Sequence, residues 1–120
     1  MKKPRGPVTL VTCSGLSNTG RMTTQAAGML RRRSPEIFEG HLTALQLKED
    51  PGRILSEAGC LLVVDGCSDT CAAKGVRAAG IEPDLHLIAT ECGIHKNGMA
   101  EVQFWEIEHL AGAIRGVLER

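Results

Sequence analysis

Hydrophobic residues along this chain fall into two kinds of pattern. Short apolar runs rich in β-branched residues occur at Val8–Thr12, in CLLVVDG from Cys60, and in DLHLIATEC from Asp84. The middle run is apolar at five successive positions, as strands buried on both faces of a parallel sheet read. Between these runs the spacing is helical. SNTGRMTTQAAGMLRRR opens on a capping serine or asparagine, sets Met22, Ala26, Met29 and Leu30 on one face, and closes on three arginines. SDTCAAKGVRAAG predicts a helix that begins near Ser68 and is closed by Gly80, and DPGRILSEAG a short helix with proline early. EVQFWEIEHLAGAIRGVLER predicts a short extended piece and then a terminal helix, with Ile107, Leu110, Ile114 and Leu118 as its packing stripe. SPEIFEG reads as a turn, and HLTALQL fits either a strand or a helical start. Strands alternating with helices predict an α/β fold, a small three-layer sandwich around an open, mostly parallel sheet of flavodoxin-like or Rossmann-like type. No repeat, linker or low-complexity segment interrupts it, so residues 1–120 read as a single domain.

Composition narrows the function. Lysine plus arginine equals aspartate plus glutamate at 14 each, which leaves no net field to draw nucleic acid or an acidic membrane surface. Phe38, Phe104 and Trp105 are the only aromatics, too few for a base-stacking platform. No apolar stretch is long enough for a membrane span, and the one after MKKPRG is too short for a signal peptide. The expected location is the cytoplasm. There, five cysteines do not make a disulfide framework, and clustered thiols point to metal or catalysis.

The fold indicates where such chemistry would sit. In open parallel sheets ligands bind outside the carboxyl ends of the strands, and three predicted ends carry cysteine: Cys13, Cys67 and Cys92. Gly66 permits a sharp turn after the central strand, which puts Cys67 near a helix N-terminus and Cys71 about one turn further on. Two thiolates so spaced can share a zinc ion at Zn–S distances of about 2.3 Å. The plainer reading makes Cys71 a small buried hydrophobe and Cys67 a turn residue. A closed zinc site needs a fourth ligand, for which the spacing offers His41, Cys92 and His95. Cys60 enters its strand at the opposite end and reads as core. Asp65 fits either an orienting group behind a ligand or a helix cap.

Three other readings compete. Cys67 as nucleophile with Cys71 or Cys13 as resolving thiol would serve thiol redox or sulfur handling. An open catalytic zinc would make a hydrolase, with Glu91, Asp69 or His95 as nominal base. CSGLSNTG could form an anion nest from Ser14, Ser17, Asn18 and Thr19. A phosphatase loop is excluded there, because the arginine that should stand six residues after Cys13 is Arg21 instead.

With CSGLSNTG, VVDGCSDTCAAK and GIEPDLHLIATECGIHKNG in place, the chain resembles the DGC domain family, named for the motif that stands here as Asp65-Gly66-Cys67. The resemblance implies a cysteine-based zinc site, without assigning it a biochemical role. Carried over by position, Cys13, Cys67 and Cys71 match three of the family's four chelating cysteines. The fourth position falls in SPEIFEGHL on His41, a departure from cysteine that a Cys3His site accommodates, with Cys92 as the alternative. No substrate, partner or oligomeric state is named by the sequence.

Overall fold

The computed structural model describes residues 7–13, 15, 17–50 and 59–119. Four strands, β1 (Val8–Thr12), β2 (Phe38–Thr43), β3 (Cys60–Asp65) and β4 (Leu85–Ile88), form one sheet in the order β2-β1-β3-β4. Every neighbouring pair is parallel. The helices are α1 (Asn18–Arg33), α2 (Ala44–Glu49), α3 (Cys71–Ala78) and α4 (Phe104–Leu118). Alternation along the strands divides the core between two faces. Val8, Leu10, Leu62 and Val64 pack with α1 and α4 on one, and Val11, Leu61 and Val63 with α2 and α3 on the other. The result is the three-layer sandwich that the alternating pattern predicts, and β3, buried at all six positions, is the fully covered strand.

The local chemistry mostly follows the sequence. Ser17 caps α1 by accepting from the Gly20 N–H, and Arg31, Arg32 and Arg33 occupy the last turn, where cations meet free carbonyls. HLTALQL is both of its alternatives in succession. Thr43 ends β2 and caps α2 in a reciprocal capping box with Gln46. The stripe on α4 is real, with Leu110, Ile114 and Leu118 buried and Ile107 packed against the same core. The short helix expected in DPGRILSEAG falls on 51–58, outside the described residues. Among the described residues no helix is long and apolar enough to cross a membrane.

Two boundaries differ from expectation. DLHLIATEC leaves the sheet at Ile88 and tightens into a 3-10 turn, Ala89–Cys92, closed by Gly93 in the left-handed region. The helix expected from Ser68 starts at Cys71. The reason lies one element earlier: Asp65, at the end of β3, accepts from the N–H groups of Ala72 and Ala73 at 2.7 and 3.2 Å. A carboxyl group from the neighbouring strand therefore caps α3, and Ser68 and Asp69 are left in the turn.

Candidate metal centre

The chain leaves β1 toward β2 on one side and β3 toward β4 on the other, so the direction of winding reverses between β1 and β3. A crevice opens at such a reversal, outside the carboxyl ends. Cys13 follows β1 there, its N–H bonded to Val64 O at 3.3 Å, and Gly66-Cys67 follow β3. Glycine shapes this rim. A Cβ on Gly66 would come within 2.8 Å of the backbone of Thr19 and Gly20, and one on Gly20 within 2.7 Å of Gly15 O. The first turn of α1 thus lies directly against the turn that carries Cys67.

Cys13 is buried, and burial pushes its thiol above the usual range. The Gly15 N–H, 3.3 Å from its sulfur, opposes that rise. The charge of Cys71 adds to it, the Gly66 N–H opposes it, and Asp65 adds a little more. Cys13, which follows β1, thus feels the charge of Cys71, the first residue of α3. Cys71 is exposed at the first position of α3.

Cys67 belongs to the same rim but faces outward. Its sulfur lies 3.6 Å from Asp69 Oδ2 and accepts from Lys96 Nζ at 3.5 Å. The loop that supplies Lys96 is seated on α1 by Asn18. The Asn18 side chain donates to His95 O at 2.9 Å and accepts from Asn97 N at 2.7 Å, and its backbone N–H donates to Gly98 O at 2.7 Å. These bonds engage Asn18 of the supposed anion nest with the protein's own backbone; Ser14 lies outside the described residues. Between the two cysteines Thr70 adopts φ 49°, ψ 46°. A β-branched residue in the left-handed region is strained by roughly 1–2 kcal/mol. The turn joining Cys67 to Cys71 is thus held against its own preference.

Asp65 is wholly buried. Besides capping α3 it accepts from His86 Nε2 at 2.8 Å, so both of its oxygens are engaged. The Asp-Gly-Cys motif divides its labour accordingly. Asp65 fixes the start of α3 and with it Cys71, Gly66 admits α1, and Cys67 follows on the rim with its thiol turned to Asp69 and Lys96.

The remaining candidates are placed elsewhere. Glu39 is skipped in the pairing of β2 with β1, and after that bulge His41 stands opposite Leu10 on the α1 face. Its Nε2 is hydrogen-bonded to Thr12 Oγ1 at 2.8 Å, and burial, assisted by Arg31, pushes its pKa down. Cys92 sits at the end of the 3-10 turn beyond β4, its thiol donating to Ile88 O at 3.3 Å. Cys60 is in the core at the amino end of β3, where burial and then Asp84 raise its thiol. Of the sequence's ligand set, Cys13 follows β1, Cys67 lies in the turn after β3, Cys71 opens α3, His41 is bonded to the Thr12 side chain next to Cys13, and Cys92 closes the 3-10 turn after β4.

The donor chemistry of three thiols on one rim suits zinc. Among the described residues no group of three or more histidine, cysteine, aspartate or glutamate side chains stands close enough together to hold a metal ion. Sequence reasoning missed Lys96 beside Cys67 and His86 behind Asp65. Each lies more than twenty residues from its partner, and only the fold brings the two together.

A family model, the DGC domain, matches residues 9–114. No curated protein and no solved structure matches the chain.

Proposed function

The chain belongs to the DGC domain family, and from that premise we propose that it is a small cytoplasmic metal-binding module holding zinc through thiolates at the carboxyl rim of its sheet. The observation that carries the proposal is that Cys13, at the end of β1, bonds through its N–H to Val64 O of the neighbouring β3, the strand whose following turn carries Cys67 and leads to Cys71. Cys67, on the turn between them, is the third thiolate, and His41 and Cys92 are the two candidates for the fourth position. Bound zinc would supply a cross-link between the loop after β1 and the start of α3. Burial keeps Cys13 protonated in the metal-free protein, so metal must displace its proton and affinity rises with pH.

The test is zinc content per chain on protein purified without added metal, with thiols titrated before and after chelation. One zinc per chain, lost in Cys13→Ser and Cys71→Ser, is the expected result. His41→Ala and Cys92→Ser then decide the fourth ligand by which of them releases the metal. A metal-free protein whose thiols ignore chelators sinks the proposal. One observation favours a second reading, thiol redox or sulfur handling: Cys67 is partly accessible, with the Lys96 ammonium 3.5 Å from its sulfur. Rapid alkylation of Cys67 alone, in protein that binds no zinc, would select it.

A further inference from the structure

The turn that joins β3 to α3 sets a thiol beside a carboxylate. Cys67 O accepts from the Thr70 N–H at 3.1 Å, which closes a hydrogen-bonded turn over Ser68 and Asp69. Cys67 Sγ donates to Asp69 Oδ2 at 3.6 Å. Two ligands of one tetrahedral zinc ion, with Zn–S about 2.3 Å and Zn–O about 2.0–2.2 Å, stand about 3.5 Å apart. The sulfur and the oxygen are therefore spaced as neighbouring ligands, and the proton between them is the one that metal binding removes from a thiol. A cation already stands against both. Lys96 Nζ lies 3.5 Å from Cys67 Sγ and 3.9 Å from Asp69 Oδ2. Its position is built into the fold, because buried Asn18 holds the residue on either side of it, donating to His95 O at 2.9 Å and accepting from Asn97 N at 2.7 Å. The two other fourth-ligand candidates lie on other elements with their donor atoms engaged. His41 Nε2 is bonded to Thr12 Oγ1 at 2.8 Å, and the Cys92 thiol to Ile88 O at 3.3 Å.

We propose that Asp69 is the fourth zinc ligand, the carboxylate arm of a Cys3Asp site with Cys13, Cys67 and Cys71, which presupposes that the rim thiols hold zinc. One short stretch, Cys67-Ser68-Asp69-Thr70-Cys71, then supplies three ligands, and Cys13 arrives from the end of the neighbouring strand. Each thiol gives up its proton to solvent as it binds. The ion takes the place against sulfur and carboxylate that the Lys96 ammonium holds. Three thiolates and a carboxylate outweigh the charge of Zn²⁺, and Lys96 remains beside them as a counter-charge. The identity of the fourth arm sets how the site behaves. A carboxylate is a harder donor than a thiolate and suits zinc less well. The side chain of Asp69 is also 73% exposed. Zinc therefore enters and leaves on the Asp69 side, which makes this a site for exchanging metal with solvent or a second chelator.

Zinc and cobalt(II) titrations of the full chain under reducing conditions test this. Asp69→Ala weakens zinc by roughly tenfold or more, the least that even an outer partner of a metal site costs when removed. His41→Ala and Cys92→Ser leave the affinity where it was. In cobalt-loaded protein, Asp69→Ala shifts the d–d bands and keeps the thiolate-to-metal charge-transfer intensity of three sulfurs. Asp69→Cys adds one sulfur's share to that intensity and slows removal of zinc by a chelator. Asp69→Asn keeps the size of the side chain and gives the same loss as Asp69→Ala, which separates ligation from the shape of the turn. Circular dichroism before metal is added stays that of the wild type throughout, because an exposed ion pair contributes little to stability. Zinc-loaded protein whose affinity and cobalt spectrum ignore Asp69→Ala overturns the assignment of Asp69 and leaves the thiol site standing. A wild-type chain that takes up no zinc overturns both.

Discussion

Cys13 and Cys60 are both buried, and burial raises both thiols, yet they occupy different chemical situations. Cys60 lies at the amino end of β3 in an apolar core, with Asp84 adding to the rise. Cys13 lies at the carboxyl end of β1, where the Gly15 and Gly66 N–H groups oppose the rise and the charge of Cys71 adds to it. Burial alone makes a cysteine filler. Backbone donors and a second thiol, supplied by the winding reversal, make the other a candidate ligand.

The largest test of that contrast is in the two aspartates beside the thiols. Asp65→Ala removes the cap from α3 and strands His86, at an expected cost of about 3–5 kcal/mol in metal-free protein, read by urea denaturation. Asp84→Ala loses one bond, to the Leu61 N–H, and costs about 1 kcal/mol. Equal costs would mean that Asp65 is not what sets the start of α3.

The pH dependence comes next. Both thiols are raised above their unfolded value of 9.0, so the stability they contribute is full below pH 9.0 and falls away as pH climbs through their folded values. His41 is depressed below 6.5, so its contribution is full above pH 6.5 and is lost as pH falls. Metal-free protein should therefore be most stable between these limits, and His41→Asn should flatten the acid limb. Saturating zinc should abolish the Cys13 share of the alkaline limb and leave the Cys60 share. An alkaline limb unchanged by zinc would place Cys13 outside the site.

The smallest effect is at Thr70. Thr70→Gly relieves the left-handed strain and should raise metal-free stability by about 1 kcal/mol in thermal unfolding. A loss would show that the threonine side chain holds the turn by a contact worth more than the strain.

How much of this was legible in the sequence follows from how local each cause is. β1, β3 and α1 were readable because their signals, a continuous apolar run and a Ser17 cap, lie within the elements themselves. The start of α3 was not, because its cap is supplied by Asp65 from another element while Ser68 and Asp69 offer plausible local alternatives. The face occupied by His41 was equally hidden, since the bulge at Glu39 shifts the alternation by one residue and nothing in SPEIFEGHL announces it. The placement of Cys13 and Cys67 just after β1 and β3 was available from pattern alone, whereas Cys92 lies a 3-10 turn beyond the end of β4. Which thiols face one another required the strand order.

That strand order has a consequence for how the chain assembles. β1 and β3 are adjacent in space, yet all of α1, β2 and α2 intervenes between them along the chain. Any bond joining Cys13 to Cys71 closes a ring of about sixty residues, which in an unfolded chain carries about 4 kcal/mol of loop entropy. The two thiols cannot find each other through local structure, so they meet only after the central pair of strands has formed. An ion captured there would register that the long-range topology is complete, and its release would be among the earliest signs that the centre of the sheet has come apart.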